Sequence, residues 1–240
     1  MEEAVVRLLV DLNATFYDRF AAPFAASRAT PQPGFERLLN YLWADPSAVL
    51  DVGCSDGRFA RFLWDRGRVV DYTGVDFSPA LLSVTGETGR FLRRDLSCPR
   101  SLNGLGQFDL VVCLSTLQHI PGHANRARLL TEMRDCLKGD GYVALANWQF
   151  AGNARQQHKL RPWSAVGLAQ SDVEDNDYLL SWQRGGVGLR YVALLDTAVT
   201  DRLAAEAGLR IVDQYRPRGG PEPLHHPGRL TPLDPVLQFL

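Results

Sequence analysis

Lysine is almost absent from this chain of 240 residues: Lys138 and Lys159 are the only two, so arginine supplies the rest of the 26 basic residues. They nearly balance 27 acidic residues, and a net charge of −1 gives no global attraction to nucleic acid or a membrane. The four cysteines form no CxxC pair, and such usage is typical of a reducing compartment. The sequence has no signal pattern, and no apolar run approaches the ~20 residues of a membrane helix. It therefore predicts a cytoplasmic protein with no membrane partner.

What is present is an alternation of strand and helix patterns, which predicts an α/β fold with a doubly wound, mostly parallel sheet. We expect one domain over residues 1–240 in four parts: an N-terminal helical cap (1–45), a cofactor-binding core (46–149), a substrate-side insertion (150–197) and the C-terminal part of the core with its tail (198–240). Helices are predicted at 3–22, 35–43, 57–66, 79–84, 125–137 and 198–207, and strands at 49–52, 72–76, 90–95, 108–114, 142–148 and 209–215. Residues 23–34 are expected to be looser, and 138–141 to form a helix cap and a turn.

The glycine turn that follows the first predicted strand, Asp51-Val-Gly53-Cys-Ser55-Asp-Gly57, indicates a cofactor site. Alone it fits NAD-binding proteins, methyltransferases and plain tight turns. The dinucleotide fingerprint requires a second glycine two residues after the first, so that the backbone can approach a pyrophosphate. Ser55 occupies that position, which favours a cofactor without a diphosphate, such as S-adenosylmethionine. Asp51 can orient the turn or accept a hydrogen bond from a cofactor ammonium group.

Two further carboxylates follow the next two predicted strands. Asp76 can accept hydrogen bonds from both ribose hydroxyls, and Phe77 can cover the adenine ring. Asp95 can accept from the exocyclic amine of adenine. The alternatives are a solvated turn aspartate at position 76 and a turn-capping aspartate at position 95.

The segments VLDVGCSDGRF, GVDFSPALL, RRDL and FDLVVCLSTLQHIP, in this order, resemble successive motifs of class I S-adenosylmethionine-dependent methyltransferases over residues 35–150. The resemblance implies a seven-stranded, Rossmann-like sheet of order 3-2-1-4-5-7-6 with an antiparallel last strand. That strand is in doubt here, because only Val236–Leu240 in the tail has a strand pattern. The resemblance also implies S-adenosylmethionine as the cofactor. The predicted cofactor-binding residues are Tyr17, Asp51, Gly53, Cys54, Ser55, Gly57, Asp76, Phe77, Asp95, Leu96, Leu114 and Leu117.

The flanking segments are similar to a narrower family. Residues 16–31, 117–121, 146–148, 177–182 and 190–191 resemble tRNA wobble-uridine methyltransferases, which esterify the carboxylate of 5-carboxymethyluridine. The resemblance implies a tRNA partner, and in some relatives a small zinc-binding activator subunit. The basic run from Arg155 to Arg161 can grip phosphates or be a solvated loop. One departure is Ser55-Asp56, where relatives commonly carry Gly-Asn.

A carboxylate acceptor needs alignment rather than a strong base, and a bidentate arginine holds it well. Arg28 and Arg190 are candidates for this role, although Arg28 can instead hold the cofactor's own carboxylate. His119 can position or deprotonate the acceptor, or be a packing histidine. The predicted catalytic residues are therefore His119 and Arg28, and the predicted substrate residues are Trp148, Trp182 and Arg190.

Two other functions remain open: a methyltransferase for a small-molecule acid or phenol, and a non-catalytic cofactor-binding protein. No metal site is predicted, because the pair His225-His226 has no third ligand at a suitable spacing.

Overall fold

The computed structural model describes residues 1–28, 30–32, 34–85, 89–150, 154–215 and 235–239. The helices are α1 (Glu3–Ala26), α2 (Phe35–Leu38), α3 (Arg58–Asp65), α4 (Pro79–Leu82), α5 (His123–Asp135), α6 (Ala154–Gln157) and α7 (Thr197–Glu206). The strands are β1 (Ser47–Val52), β2 (Val70–Asp76), β3 (Arg90–Arg93), β4 (Phe108–Leu114), β5 (Leu137–Ala146), β6 (Leu160–Arg161), β7 (Asp177–Trp182), β8 (Gly188–Ala193), β9 (Arg210–Tyr215) and β10 (Pro235–Phe239). Within these ranges, none of the helices has the length and hydropathy to cross a bilayer. His225-His226 and most of the proline-rich tail lie outside the described residues.

A seven-stranded sheet of order β3-β2-β1-β4-β5-β10-β9 forms the centre of the molecule. The mostly parallel, doubly wound fold predicted from the sequence is confirmed. The strand order reverses between β1 and β4, which is where ligands bind in such sheets, at the carboxyl ends of the strands. The glycine turn and the segment after β4 both begin at this point.

Alternate residues of the central strands pack on opposite faces of the sheet. On one face, Leu110 and Val112 of β4 pack with Phe59 and Phe62 of α3. On the other face, Val111 lies in a cluster that includes Leu129, Leu130 and Met133 of α5. Because both faces are covered, β4 is apolar from Leu110 to Leu114, as expected for a strand inside a parallel sheet.

The last strand differs from the expected one. The resemblance implies an antiparallel final strand, but β10 is parallel to both of its neighbours, β5 and β9. A parallel neighbour requires a crossover of about a dozen residues or more rather than a tight hairpin. Residues 216–234, between β9 and β10, provide enough chain for such a crossover.

The first helix is longer than predicted, and the second is shorter. Helix α1 continues past Pro23 to Ala26, with a kink at Phe20, where φ is −111° and ψ is 19°. Pro23 has no backbone N–H to donate, and its ring crowds the backbone carbonyl one turn earlier in the helix. The kink at Phe20 relieves this crowding, so the helix can continue past Pro23. The second predicted helix, 35–43, is only one turn of α-helix followed by a 3-10 turn, Leu39–Tyr41.

The predicted cap and turn at 138–141 is instead part of β5. Helix α5 ends at Asp135, and β5 begins at Leu137. Gly141 lies so close to β4 that a Cβ there would be 2.9 Å from the carbonyl oxygen of Phe108. A register shift between Phe108 and Leu110 accommodates the extra residues in the pairing of β4 with β5.

The predicted insertion contains a small antiparallel sheet of order β6-β7-β8, which was not predicted. Its strand β8 packs against α1. A buried network ties this sheet to the core: Arg126 of α5 donates to the hydroxyl of Tyr191 (3.0 Å) and pairs with Glu174, and that hydroxyl donates to Asp177 (2.7 Å). The resemblance of residues 177–182 and 190–191 to the tRNA enzymes therefore includes side chains that hold the insertion in place.

Candidate active site

The turn between β1 and α3 has three residues in the left-handed region: Gly53 (φ 83°), Ser55 (φ 53°) and Gly57 (φ 72°). A Cβ on Gly53 would overlap the side chain of Thr116, whose hydroxyl donates to the Gly53 carbonyl at 3.2 Å. Ser55 adopts a conformation that glycine adopts more readily. The serine at this position therefore keeps the left-handed turn rather than changing it.

Asp76, at the end of β2, holds this turn in place. Its Oδ2 accepts from the Ser55 amide at 2.9 Å, and its Oδ1 accepts from the Ser78 amide at 3.0 Å. Burial raises the pKa of Asp76, while these two hydrogen bonds favour its charged form. Ser78 caps α4, as the sequence predicted, by accepting from the Leu81 amide.

Asp51 is a buried carboxylate with one satisfied oxygen. The Tyr72 hydroxyl donates to its Oδ2 at 2.5 Å, whereas its Oδ1 has no hydrogen-bond partner among the described residues. Burial raises the pKa of Asp51 to about 7, although the Tyr72 hydrogen bond acts in the opposite direction. An unpartnered, buried carboxylate oxygen is an acceptor for a cationic donor from a ligand.

A cavity lies at the carboxyl ends of the strands, between the sheet and α1. Ten of the twelve predicted cofactor residues line it: Tyr17, Asp51, Gly53, Cys54, Ser55, Asp76, Phe77, Asp95, Leu96 and Leu114. Two predicted residues do not. Gly57 is the left-handed residue directly before α3. Leu117 is completely buried in the core, because the 3-10 turn Leu117–His119 directs His119 rather than Leu117 toward the cavity.

The cavity suits S-adenosylmethionine. The free oxygen of Asp51 can accept from its ammonium group, and Asp76 can accept from its ribose hydroxyls. Both oxygens of Asp95 already accept hydrogen bonds, from Ser97 and the Cys98 thiol, so it would use remaining lone pairs toward adenine.

Arg28 and Arg58 also line this cavity, and the sequence analysis did not identify Arg58. The Arg28 guanidinium lies 3.8 Å from the centre of the Phe24 ring. Burial, together with the positive charges of Arg58 and Arg190, lowers the pKa of Arg28 to about 10. Two arginines that repel one another in one cavity are a suitable site for a carboxylate, including the one that S-adenosylmethionine carries.

His119 and Tyr17 both line the cavity and are in contact with each other. The Tyr17 hydroxyl is 3.0 Å from His119 Nε2, and His119 Nδ1 is 3.0 Å from the carbonyl oxygen of Tyr191. A carbonyl only accepts, so Nδ1 carries the proton and Nε2 accepts from Tyr17. Burial, with the positive charges of Arg190 and Arg28, lowers the pKa of His119 to about 3. The imidazole is therefore neutral at physiological pH and a weak base.

Arg190 lies behind His119 and has three aromatic rings around its guanidinium. It is 4.5 Å from the centre of the Trp148 ring, 5.2 Å from Phe16 and 5.5 Å from Trp182. Only 7% of Arg190 is exposed, yet its Nε and Nη1 have no hydrogen-bond partner in the part of the chain that the structure describes. The three predicted substrate residues, Trp148, Trp182 and Arg190, are thus brought together, next to the cavity rather than in its lining.

Other polar groups near this site could not be found from sequence. The Gln118 side chain accepts a hydrogen bond from the Trp148 amide at 2.8 Å, and the Asn13 side chain accepts one from the Tyr191 amide. Gln118 lies inside the segment FDLVVCLSTLQHIP but was not predicted as a site residue. Asn13 belongs to no motif, although it lies one helical turn before Tyr17. In the basic run, Lys159 donates to the Gln156 side chain, and Arg161 donates to the carbonyl oxygens of His158 and Leu160.

Comparison with known proteins finds methyltransferases. Residues 50–143 match a family described as a methyltransferase domain. A protein of Encephalitozoon cuniculi that is named as a methyltransferase is 28% identical over 82% of this chain and 87% of its own length. The trans-aconitate 2-methyltransferase of Streptomyces coelicolor is 35% identical over 54% of this chain, and the chain spans 43% of that relative. The sugar N-methyltransferase KedS8 from Streptoalloteichus has the same fold, with a TM-score of 0.54, 17% identity, and coverage of 77% of this chain and 82% of that one.

These comparisons do not show the narrower resemblance to tRNA wobble-uridine enzymes, which stays a prediction. The fold, the cofactor cavity and the matched domain identify the chain as a class I S-adenosylmethionine-dependent methyltransferase.

Proposed function

We propose that this S-adenosylmethionine-dependent methyltransferase methylates a carboxylate oxygen of a small organic acid. The observation that carries the proposal is Arg190, a buried and unpartnered cation beside a histidine that is a weak base. The site thus provides positive charge to hold an anion and little capacity to remove a proton.

Arg190 has the properties of an anion-binding group. Its buried Nε and Nη1 lack acceptors, and leaving charged donors unsatisfied in a protein interior is costly. A carboxylate can accept from two guanidinium nitrogens at once and would remove that cost. Because Phe16, Trp148 and Trp182 exclude water around the guanidinium, the ion pair would be stronger than one at the surface.

His119 favours a carboxylate over a phenol or an amine. A carboxylate oxygen is already a nucleophile, whereas a phenol or an ammonium group must first lose a proton. With a pKa of about 3, His119 is poorly suited to accept that proton. An ammonium acceptor would also be repelled by Arg190. Of the two roles considered from sequence for His119, positioning is therefore favoured over deprotonation.

The chain's residues would divide between cofactor and acceptor. When bound, S-adenosylmethionine supplies a methyl group on a positively charged sulfur. Asp51 would hold its ammonium group, Asp76 its ribose, and Arg28 with Arg58 its carboxylate. Arg190 would hold the acceptor and exclude cations, while Tyr17 and His119 position the reacting oxygen.

The trans-aconitate relative, named for an acid, supports a small-molecule acceptor. The tRNA acceptor implied by the narrower resemblance carries the same reacting group, a carboxylate, so both candidates can be tested together. A non-catalytic protein would bind the cofactor and transfer no methyl group to either.

The experiment is transfer of labelled methyl from the cofactor to di- and tricarboxylic acids, phenols, amines and bulk tRNA. We expect a base-labile methyl ester on a small acid. At saturating cofactor, the rate should be nearly constant from about pH 5.5 to about pH 8.5, because carboxylic acids are ionised throughout this range. Label on tRNA alone, on amines or phenols, or on no acceptor would contradict the proposal.

Variants of Arg190 test its role in acceptor binding. Loss of a charge-assisted pair costs about 2–3 kcal/mol, so Arg190→Met should raise the acceptor KM about 30- to 150-fold. Binding of S-adenosylhomocysteine, measured by calorimetry, should not change. Arg19 lies over the Phe20 ring and is exposed, so Arg19→Met is the matched control and should leave KM unchanged.

A further inference from the structure

We infer that Asn13 is a positioning residue that fixes the His119 proton on Nδ1 by holding the backbone of Tyr191. The inference about the proton stands on geometry alone; its effect on turnover rests on the proposed carboxylate methylation. Asn13 is part of the cavity lining, but its polar atoms bond to the backbone of Tyr191 and His119, so it acts through another residue.

The side chain of Asn13 forms three hydrogen bonds inside the protein. Its Oδ1 accepts from the Tyr191 amide at 2.8 Å, and its Nδ2 donates to the carbonyl oxygens of Tyr191 (3.2 Å) and His119 (3.3 Å). Only 4% of Asn13 is exposed. Because an amide oxygen cannot donate, this set of partners admits only one orientation of the side chain.

The position of the Tyr191 carbonyl determines which histidine nitrogen is protonated. This oxygen accepts from Asn13 Nδ2 and lies 3.0 Å from His119 Nδ1. A proton on Nδ1 makes the second contact a hydrogen bond, whereas a lone pair there would face the oxygen's lone pair inside the protein. Asn13 also bonds the His119 carbonyl, so both partners of the Nδ1 contact are held by one side chain.

Helix α1 reaches both nitrogens of the imidazole, and the constraint on the proton acts on the Nδ1 side. Asn13 and Tyr17 are four residues apart and lie on the same face of the helix. Asn13 acts on the Nδ1 side through Tyr191, and the Tyr17 hydroxyl donates to Nε2. The Tyr17 proton is therefore directed to His119 and away from the acceptor. A hydrogen bond donated to the nucleophilic oxygen would stabilise the ground state and slow its attack.

The proton position can be read by long-range proton–nitrogen NMR of the ¹⁵N-labelled protein, with His119→Gln used to assign the signals. We expect a protonated Nδ1 in the parent protein. Tyr17→Phe should keep that state, because the constraint acts from the other side of the ring. In Asn13→Leu we expect a mixture of tautomers. Asn125 donates to the Pro121 carbonyl close to the same loop, so Asn125→Leu is the matched control and should match the parent.

Two NMR results would overturn the inference: an unchanged Nδ1 proton in Asn13→Leu, or its loss in Tyr17→Phe. If Asn13→Leu does not fold, Asn13→Asp keeps the shape and the acceptor for the Tyr191 amide and replaces the donor by a carboxylate oxygen, which cannot donate when ionised. It should also lose the single tautomer.

The kinetic readout separates this inference from the proposed function. In Asn13→Leu, kcat toward a carboxylic acid should fall about 10- to 100-fold, as expected for a misaligned reactive group, while affinity for S-adenosylhomocysteine is unchanged. If no acid is methylated by the parent protein, the proposed function fails, but the NMR result still decides the role of Asn13.

Discussion

At the residue scale, the ionisation of Asp51 links cofactor binding to pH. Its carboxylate has a pKa near 7 and one unpartnered oxygen in the cavity. A ligand ammonium group prefers the charged carboxylate, so a protonated Asp51 must release its proton before the ion pair forms. Affinity for the cofactor should therefore be constant above about pH 8 and fall as the pH decreases through 7.

Calorimetry with S-adenosylhomocysteine across pH measures this dependence. Tyr72→Phe provides the directional control: the Tyr72 hydrogen bond lowers the pKa of Asp51, so its loss should move the decline in affinity to higher pH. Affinity that does not vary between pH 6 and 8 would exclude Asp51 as the ammonium partner.

The positions of Asp51, Gly53 and Asp76 at the cavity could be predicted from sequence. Each lies at the end of a strand or in the turn after it, and local chain order fixes where such positions fall in a parallel sheet. The unpartnered state of Arg190 could not be predicted in this way. It depends on rings from α1, β7 and the segment after β5, and on the lack of an acceptor among all of them.

At the scale of elements, the hairpin of β7 and β8 packs on α1 through glycine. A Cβ on Gly188 would be 2.5 Å from the Phe20 ring and 3.0 Å from the Phe16 ring. Gly188→Ala should reduce the free energy of unfolding by about 1–3 kcal/mol through overpacking. Since Phe16 also contacts Arg190, the acceptor KM should rise while cofactor affinity stays the same.

Urea denaturation of Gly188→Ala gives the stability change. Gly139 lies in β5 with open space at its Cβ position, so Gly139→Ala should change stability by no more than about 0.5 kcal/mol. Equal effects of the two substitutions would show that close packing on α1 does not stabilise the hairpin.

The core helices and strands followed from periodicity, but the small antiparallel sheet did not. Strand β6 is only two residues long, and β7 has consecutive buried residues, Leu179 and Leu180, instead of alternation. Its pairing depends on partners distant in sequence, which no local pattern encodes. Similarly, the glycines at 139 and 141 have the composition of a turn, and only the pairing of this segment with β4, which Gly141 approaches closely, makes them part of β5.

At the scale of the whole molecule, β10 joins β9 to the rest of the sheet, because it pairs with both β5 and β9. Deleting residues 235–240 would leave the edge of β5 unpaired and separate β9 from the sheet. We expect the truncated chain to form aggregates, since exposed edges of apolar strands pair with other chains. Size-exclusion chromatography and dye binding would detect them.

Removal of Met1 and Glu2, which are exposed and precede α1, is the control for this truncation and should leave a monodisperse protein. A soluble truncated chain with unchanged thermal stability would contradict a structural role for β10. From sequence, the order of the first five strands was predictable by motif. The direction of the last strand was not, because it depends on the pairing of β10 with β5 and β9 rather than on a pattern in the strand's own residues.

The placement of β10 also has a consequence for the order of events during synthesis. Strand β9 leaves the ribosome before the strand that connects it to the sheet. At about 5–20 residues per second, the chain from 216 to 239 takes about 1–5 s to make, and β5 has a free edge throughout this interval. A nascent chain that stalls within that stretch presents an incomplete sheet, so its exposure to chaperones is set by translation speed as well as by thermodynamic stability.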